Sequence, residues 1–337
     1  MSLKELRAKM KRGPSDVIGI DVGQAAVKIV RLRKNGEVIS VVGCDVSQGV
    51  TPGSVNPAIT IPPKLQARFV SIAMSSSEAT TKLLTFPGPI DAAFESNLTR
   101  NLGRNPDADD RMAYRIITEG SGRIESRVLA ASIPEADIAP IMRQFASGLP
   151  APSSVEVSSL AALTAFEAGP VLNSGVPTSG LLDFGTSSST LSIFHRKTLV
   201  LIRRFDFGLR KLLDRVMTTL HIDEKTAINV LSDTAFDISE LIADIMGPFT
   251  SQLIVSRDFA ERRENCSLKS LHIIGGIASS QAAIHELERT LNIGIQIVDP
   301  FNIPSLHPES PESLPITDRW RFTAAVGAAL GTLEEKP

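Results

Sequence analysis

Apolar residues near the start of the chain fall in short blocks broken by turn formers. Val17–Ile20 runs into Asp21-Val22-Gly23, and Val27–Leu32 and Val38–Val42 are separated by Asn35-Gly36. Blocks of this length with a hairpin-type turn predict an antiparallel meander. Residues 47–63, rich in Pro, Gly and Ser, read as an exposed loop, and Ala67–Met74 as the next strand. A second module occupies residues 78–150, with strands at Thr80–Phe86 and Ser126–Ser132 and a helix over Ile133–Ser147 whose Pro134 lies in the first turn. Val155–Ala168 has the pattern of a helix, and the breaker-rich stretch 169–179 that follows reads as a linker.

The pattern then repeats. An apolar strand enters Leu181-Leu182-Asp183-Phe184-Gly185-Thr186, and strands at Thr190–Phe194 and Leu199–Phe205 follow. A strand, Asp-x-Gly turn and two further strands, occurring twice, mark a duplicated fold of two similar halves facing each other. Helices are predicted at about 208–220, 223–231 and 238–263, the last bent or split at Gly247-Pro248. Leu271–Gly276 is a further apolar strand ending in glycine. The final helix, over about Asp318–Leu333, sets Phe322, Val326, Ala329, Leu330 and Leu333 on one side, and Gly327 and Gly331 would permit close approach of a neighbour.

This organisation predicts a basic tail (1–15), a first lobe begun by 16–77, an inserted α+β subdomain (78–150) and a return helix (151–178). A second lobe follows (179–315, helical at about 220–265), and a closing helix (316–337) returns to the first lobe. The 337 residues suffice for two cores without disulfides. A net charge of −2 provides no field for gathering nucleic acid, which argues against a nucleic-acid partner. Cys44 and Cys266 are the only cysteines, and they read as reduced thiols of a cytoplasmic protein. No stretch has the length of a membrane span, and the N-terminus lacks the apolar core of a signal peptide. The tail carries five basic residues and one acid, with Leu3, Leu6 and Met10 at helical spacing. It reads either as a weak anchor on an anionic membrane or as a solvated tail.

The candidate chemistry sits at the glycine turns. Two opposed Asp-x-Gly turns can cradle a triphosphate, their amides donating to phosphate oxygens while Asp21 and Asp183 hold the waters of a magnesium ion. Lys28, seven residues after Asp21 on the outgoing strand, is placed for its ammonium to reach a phosphate. Ile273-Ile274-Gly275-Gly276 offers bare backbone on which an adenine can lie. The five histidines pair with no serine or cysteine at triad spacing, so structural or surface roles are expected for them.

With these three segments in this order, and with Ala73–Pro87, Arg127–Glu135, Val155–Leu163 and Ala324–Leu330 in similar layout, residues 17–333 resemble the actin-like ATPase superfamily. Within it the chain resembles the PilM-like cytoplasmic proteins of type IV pilus inner-membrane platforms, relatives of the division protein FtsA. The resemblance implies an α/β, actin-like (ribonuclease H-like, duplicated) two-lobed fold with an α+β subdomain inserted in the first lobe. It implies ATP and Mg2+ as cofactors, with Asp21, Gly23, Gln24 and Lys28 at the first phosphate turn and Asp183, Gly185 and Thr186 at the second. Gly208 would start a helix near the ribose, and Gly275 and Gly276 would form the adenosine pocket. The implied partner is the short cytoplasmic tail of a PilN-like single-span membrane protein, received between the first lobe and its insertion, with other platform or motor proteins and a homo-oligomer also compatible. That would make the chain cytoplasmic and peripheral at the inner membrane.

The chain departs from the family where Gln24-Ala25-Ala26 replaces hydroxyl residues after the first glycine, where Gln252 and Val255 replace an acid and a base, and where Gly208 stands without a second glycine. These departures point to a degenerate ATP site and at most a slow ATPase, for which no base is evident. Two other functions stay open. A sugar-type metabolic kinase of the same superfamily would need a cleft carboxylate to deprotonate an acceptor hydroxyl. An FtsA-like division filament protein would carry a C-terminal membrane helix, which the short acidic sequence after Gly331 does not resemble.

Overall fold

The computed structural model describes residues 13–50, 59–90, 92–105, 107–122, 124–146, 148–233 and 235–334. Residues 1–12 of the basic tail, residues 51–58 of the loop expected over 47–63 and the last three residues lie outside the described residues. In chain order the elements are β1 (Asp16–Val22), β2 (Ala26–Asn35), β3 (Val38–Gln48), β4 (Phe69–Met74), β5 (Thr80–Pro87), α1 (Ala92–Leu102), β6 (Asp110–Thr118), β7 (Glu125–Pro134), α2 (Glu135–Arg143), β8 (Ala151–Val157) and α3 (Ser158–Ala168). They continue with β9 (Thr178–Phe184), β10 (Ser189–His195), β11 (Thr198–Phe205), α4 (Leu209–Leu220), α5 (Glu224–Ser232), α6 (Ser239–Glu264), β12 (Ser270–Gly275), α7 (Gln281–Leu291), β13 (Gly294–Ile297), β14 (Leu306–Pro308) and α8 (Thr323–Glu334). None of the described helices is long and apolar enough to cross a membrane.

The chain divides into two compact units. Unit 1 comprises the described residues of Met1–Ser75, Ile138–Pro170 and Asp299–Pro337, and unit 2 those of Ser76–Asp137 and Val171–Val298. Unit 1 holds a sheet of order β14-β3-β2-β1-β4-β8 and unit 2 one of order β11-β10-β9-β12-β13. In both, two antiparallel hairpin pairings (β1-β2-β3; β9-β10-β11) are followed by parallel pairings (β1-β4-β8; β9-β12-β13). The repeat visible in the sequence is therefore a repeat of topology. Central strands β1 and β9 are buried almost throughout, which is why each reads as an unbroken apolar run rather than an alternation.

Unit 1 is closed by α8. Its Phe322-to-Leu333 region packs Ala325, Val326, Ala329 and Leu330 onto Val17, Val30, Leu32, Ile39 and Val41 of the sheet. Two glycines set how close this helix comes. A Cβ on Gly19 would fall on the Ala325 carbonyl, and one on Gly327 on the Ala161 carbonyl of α3. Gly331, expected to serve the same purpose, does not: its added Cβ would meet only Thr164 Cγ2, at an ordinary 4.0 Å.

Two expected helices are shorter than the periodicity suggests. Ile133 and Pro134 are the last residues of β7, held in the ladder opposite Arg111 and Asp110, so the helix expected at Ile133 starts at Glu135, and it ends at Arg143. Val155–Val157, expected to be helical, completes β8 as the parallel partner of Ile72–Met74. In both places pairing with a distant strand outweighs local helical preference. The long helix expected over 238–263 runs unbroken from Ser239 to Glu264 with Pro248 inside it, and the hydroxyls of Thr250 and Ser251 both donate to the Gly247 carbonyl.

Residues 76–137, inserted in sequence between β4 and β8, group with unit 2. Their sheet has the order β5-β7-β6, and Phe94, Leu98 and Leu102 of α1 cover Val128 and Ala130. Arg204 of β11 donates from Nη1 to the carbonyls of Ser76 (3.2 Å), Ser77 (3.0 Å) and Ala79 (3.0 Å), and Arg127 pairs with Glu264 of α6 at 2.7 Å. Arg104 grips Asp110 at the start of β6 with two hydrogen bonds, from Nε and Nη2. The hydrogen bond from Arg104, outweighing burial and helped by the guanidinium charge, holds the Asp110 carboxyl below its ordinary 3.8. A depressed carboxyl contributes stability above its ordinary value and loses it as the pH falls through the folded value. The melting-temperature difference between the parent and Asp110→Asn is therefore expected to be constant above about pH 5 and to close below the ordinary carboxylate value, as followed by circular dichroism.

Candidate nucleotide-binding turns

Each half of the expected site lies in its own unit. In unit 1, antiparallel pairing sets Lys28 directly across from Asp21. Lys28 Nζ donates to Asp21 Oδ2 at 2.8 Å, and Ser158 Oγ, at the first residue of α3, donates to Asp21 Oδ1 at 2.7 Å. Asp21 is buried, 6% exposed, so this pair of donors is what makes a charged carboxylate tolerable there. Gly23 N closes the turn on the Ala26 carbonyl at 3.2 Å, and Val50 N bonds the Gly23 carbonyl at 3.1 Å, strapping the end of β3 over Gln24. An added Cβ on Gly23 would stand 2.8 Å from the Ala26 carbonyl and 3.0 Å from Lys28 Nζ, so the ammonium and the turn backbone share one small space.

Ser158 was not legible as a partner of Asp21 because the residues before it read as helix. The alternation Val155-Glu156-Val157 ending at Ser158-Ser159 is the strand-to-helix signal that identifies it. Removing the lysine would leave a buried carboxylate with one neutral donor. Lys28→Met is expected to cost about 2–3 kcal/mol in urea unfolding, less than for a fully buried pair because Lys28 is partly exposed.

In unit 2 the remaining candidates converge. Gly185 N closes its turn on the Ser188 carbonyl at 3.0 Å, and the first amides of α4 dock on the same turn: Leu209 N on the Gly185 carbonyl at 3.0 Å and Arg210 N on the Thr186 carbonyl at 2.8 Å. Gly208 caps α4 in extended conformation, and a Cβ there would stand 2.6 Å from the Thr186 carbonyl and 2.7 Å from that of Gly185. On the other side β12 pairs Ile274 with Asp183 and Gly275 with Phe184. Gly275 has φ +83°, and its added Cβ would fall on the Phe184 carbonyl; at Gly276 it would be 2.5 Å from Leu209 Cδ2. Asp183, Gly185, Thr186, Gly208, Gly275 and Gly276 thus form one backbone-lined patch. Beneath it Phe184 meets Phe207 (5.8 Å) and Phe249 (5.6 Å) edge-on, and Phe207 stacks on Phe249 at 4.8 Å. This aromatic floor combines residues from β9, the segment before α4 and α6, a conjunction no local pattern reveals.

The amides of Gly23 and Gly185, expected to donate to phosphate, close their own turns instead, and the first amides of α4 are paired with the carbonyls of Gly185, Thr186 and Gly208. The donor set suits magnesium only through water. Among the described residues no group of three or more His, Cys, Asp and Glu side chains could hold a metal ion directly. The histidines with described partners serve the fold: His195 Nδ1 shares a hydrogen bond with Thr178 at 2.8 Å, and buried His272 faces the Gly180 carbonyl.

Two sheets that share a five-strand order, β14 adding an edge strand to the first, each with an Asp-x-Gly hairpin at its first turn, define the duplicated actin-like fold. The sequence matches no protein-family model and no curated protein. Among solved structures, the chain is similar to the PilM-PilN type IV pilus biogenesis complex, at 17% identity and a TM-score of 0.78 over 96% of this chain and 100% of that one. An actin-like ATPase-fold protein of unknown function from Bacteroides thetaiotaomicron (11% identity, 88% of this chain and 96% of that one, TM-score 0.48) aligns more loosely. So does the ethanolamine utilization protein EutJ from Carboxydothermus hydrogenoformans (13% identity, 95% and 91%, TM-score 0.47). The first of these likenesses establishes the fold.

Proposed function

We propose that this chain is an ATP-binding scaffold of a type IV pilus-like assembly platform that receives the cytoplasmic tail of a PilN-like single-span membrane protein. The observation that carries the proposal is the agreement of fold over essentially the whole of both chains with a structure solved as a PilM-PilN complex. A likeness over only part of the two chains would not support a shared role in this way, whereas this one extends over 96% of this chain and 100% of that one. In this reading Gly23, Gln24 and Lys28 of unit 1 contact phosphate, Gly185 and Thr186 of unit 2 contact phosphate, and Gly208, Gly275 and Gly276 seat the nucleoside. Asp21 in its turn and Asp183 in its own would each be able to hold a water of a bound magnesium ion. Bound magnesium would neutralise phosphate charge; the chain's own residues bind and orient the nucleotide.

Turnover is slow. Asp21 is occupied by Lys28 and Ser158, and Gln24-Ala25-Ala26 brings no hydroxyl to the first turn. The tail docks on residues 68–150, and the partner holds the chain at the cytoplasmic face of the inner membrane. Calorimetric titration with a synthetic tail of a single-span protein encoded beside this chain tests the proposal. Saturable one-to-one binding is expected, and it should weaken on substitution within residues 68–150. A chain that ignores the tail and phosphorylates a sugar from ATP would overturn the scaffold reading in favour of a kinase.

A further inference from the structure

The insertion's sheet ends in a strand, β6, whose central six residues are exposed. β6 pairs with β7 on one side, and among the described residues no strand pairs with its other edge. Every residue from Arg111 to Ile116 is exposed, including three large apolar side chains, Met112 (40%), Tyr114 (38%) and Ile116 (42%). These three alternate, so they share one face of the sheet. It is the face covered by α1: Tyr114 meets Phe94 edge-on at 5.0 Å, and Met112 Sδ accepts from Thr99 Oγ1 at 3.4 Å. The small apolar core under α1 thus continues out to an open sheet edge. Soluble proteins normally blunt such edges with charge, proline or a covering element, because they template pairing with another chain. Here the charges are disposed differently: Arg111 is bound to Glu135 through both Nε and Nη2, and Arg115 points to the opposite face from the apolar strip.

We infer that β6 is a self-pairing edge, through which two copies of this chain join antiparallel strands to make one six-stranded sheet. The occupant follows from the strand's own order of residues. A two-fold antiparallel pairing that keeps the apolar faces together opposes residues of like parity, and only one register pairs all three apolar residues with one another. Centred on Tyr114, it sets Met112 against Ile116 of the second copy, Tyr114 against its own counterpart, and Arg115 against Ala113. Centring on Ala113 would bring Arg111 onto Arg115, and centring on residue 115 would oppose two arginines directly, both unfavourable across strands. Centring on Met112 would set the strip against Asp110 and Ala108. In the favoured register the one like-charged pairing, Asp109 with Glu119, falls outside the strand at either end. β6 is therefore complementary to itself in both polarity and charge.

Sedimentation velocity on the full chain tests the inference. A reversible dimer is expected, and Met112→Glu or Ile116→Lys alone should weaken it at least about tenfold, since each substitution acts twice in a symmetric interface. The double variant M112E/I116K places glutamate opposite lysine at both contacts and should restore the dimer. That rescue separates loss of pairing from loss of folding, which circular dichroism of each variant reports independently. A chain that stays monomeric up to about 100 µM, or a dimer indifferent to all three variants, overturns the inference, and a double variant as weak as the singles overturns the register.

Discussion

Replacing Gly327 by alanine is expected to cost about 3 kcal/mol or more, while the same change at Gly331, one helical turn on, is expected to stabilise by about 0.5–1 kcal/mol. Both residues are glycines of α8, each preceded by an alanine and a larger apolar residue (Ala325-Val326 and Ala329-Leu330), and helix propensity alone favours alanine at either. The difference lies in what each meets. A methyl group at Gly327 would overlap the Ala161 carbonyl of α3, which is backbone and cannot rotate away, and further crowding comes from the Ala165 amide at 3.1 Å. Relief requires α8 to move off α3, but α8 also rests on Gly19 of β1, where there is equally no room. A shift would therefore open the core formed by Val17, Val30, Ala325 and Ala329. At Gly331 the added methyl makes one ordinary contact. Urea unfolding of the two variants decides the matter: equal effects would mean that α8 is not held by backbone contact on both sides.

Gly275→Ala is expected to be nearly as damaging, and to remove nucleotide binding with it. Two independent costs apply. The residue has φ +83°, a left-handed conformation that costs a side chain about 1–3 kcal/mol, and the new Cβ would overlap the Phe184 carbonyl across the β9–β12 pair. Neither cost is local in its consequence. Phe184 precedes the Gly185 turn, and Gly276 contacts Leu209 at the start of α4, so relaxation at Gly275 displaces the turn, the helix start and the proposed adenosine seat together. Gly294→Ala, in the edge strand β13 with nothing within 4 Å of the added methyl, serves as the comparison and should leave both stability and binding unchanged. Binding of a fluorescent ATP analogue that survives in Gly275→Ala would place the nucleotide elsewhere.

The parts of this fold legible in the sequence are those whose signals are local. The Asp21-Val22-Gly23 and Asp183-Phe184-Gly185 turns, the Asn35-Gly36 hairpin and the amphipathic α4 and α5 each carry their own pattern. What escaped reading depends on distant partners. Val155–Val157 has helical neighbours yet joins β4 as a strand, and Ile133-Pro134 stays in its ladder because Asp110 and Arg111 lie opposite. The exposed strand β6 did not stand out because its apolar residues alternate with charged and small ones beside a run of aspartates, although Met112, Tyr114 and Ile116 do show the two-residue period of a strand. Within the site, the need for glycine at 185 and 275 is visible from the turns themselves. The need at 208 arises only once α4 docks its amides on the carbonyls of Gly185 and Thr186. Ser158 belongs to the same class, since it reaches Asp21 from 137 residues away.

In the proposed function the glycine turns bind nucleotide in order to stabilise an assembly component and not to drive chemistry. Thermal unfolding and phosphate release measured on one sample, with and without ATP and magnesium, test it most directly. The melting temperature is expected to rise with ATP in a saturable manner while phosphate release stays below about 0.01 per second. An unfolding curve that ATP leaves unmoved, or rapid phosphate release, would contradict it.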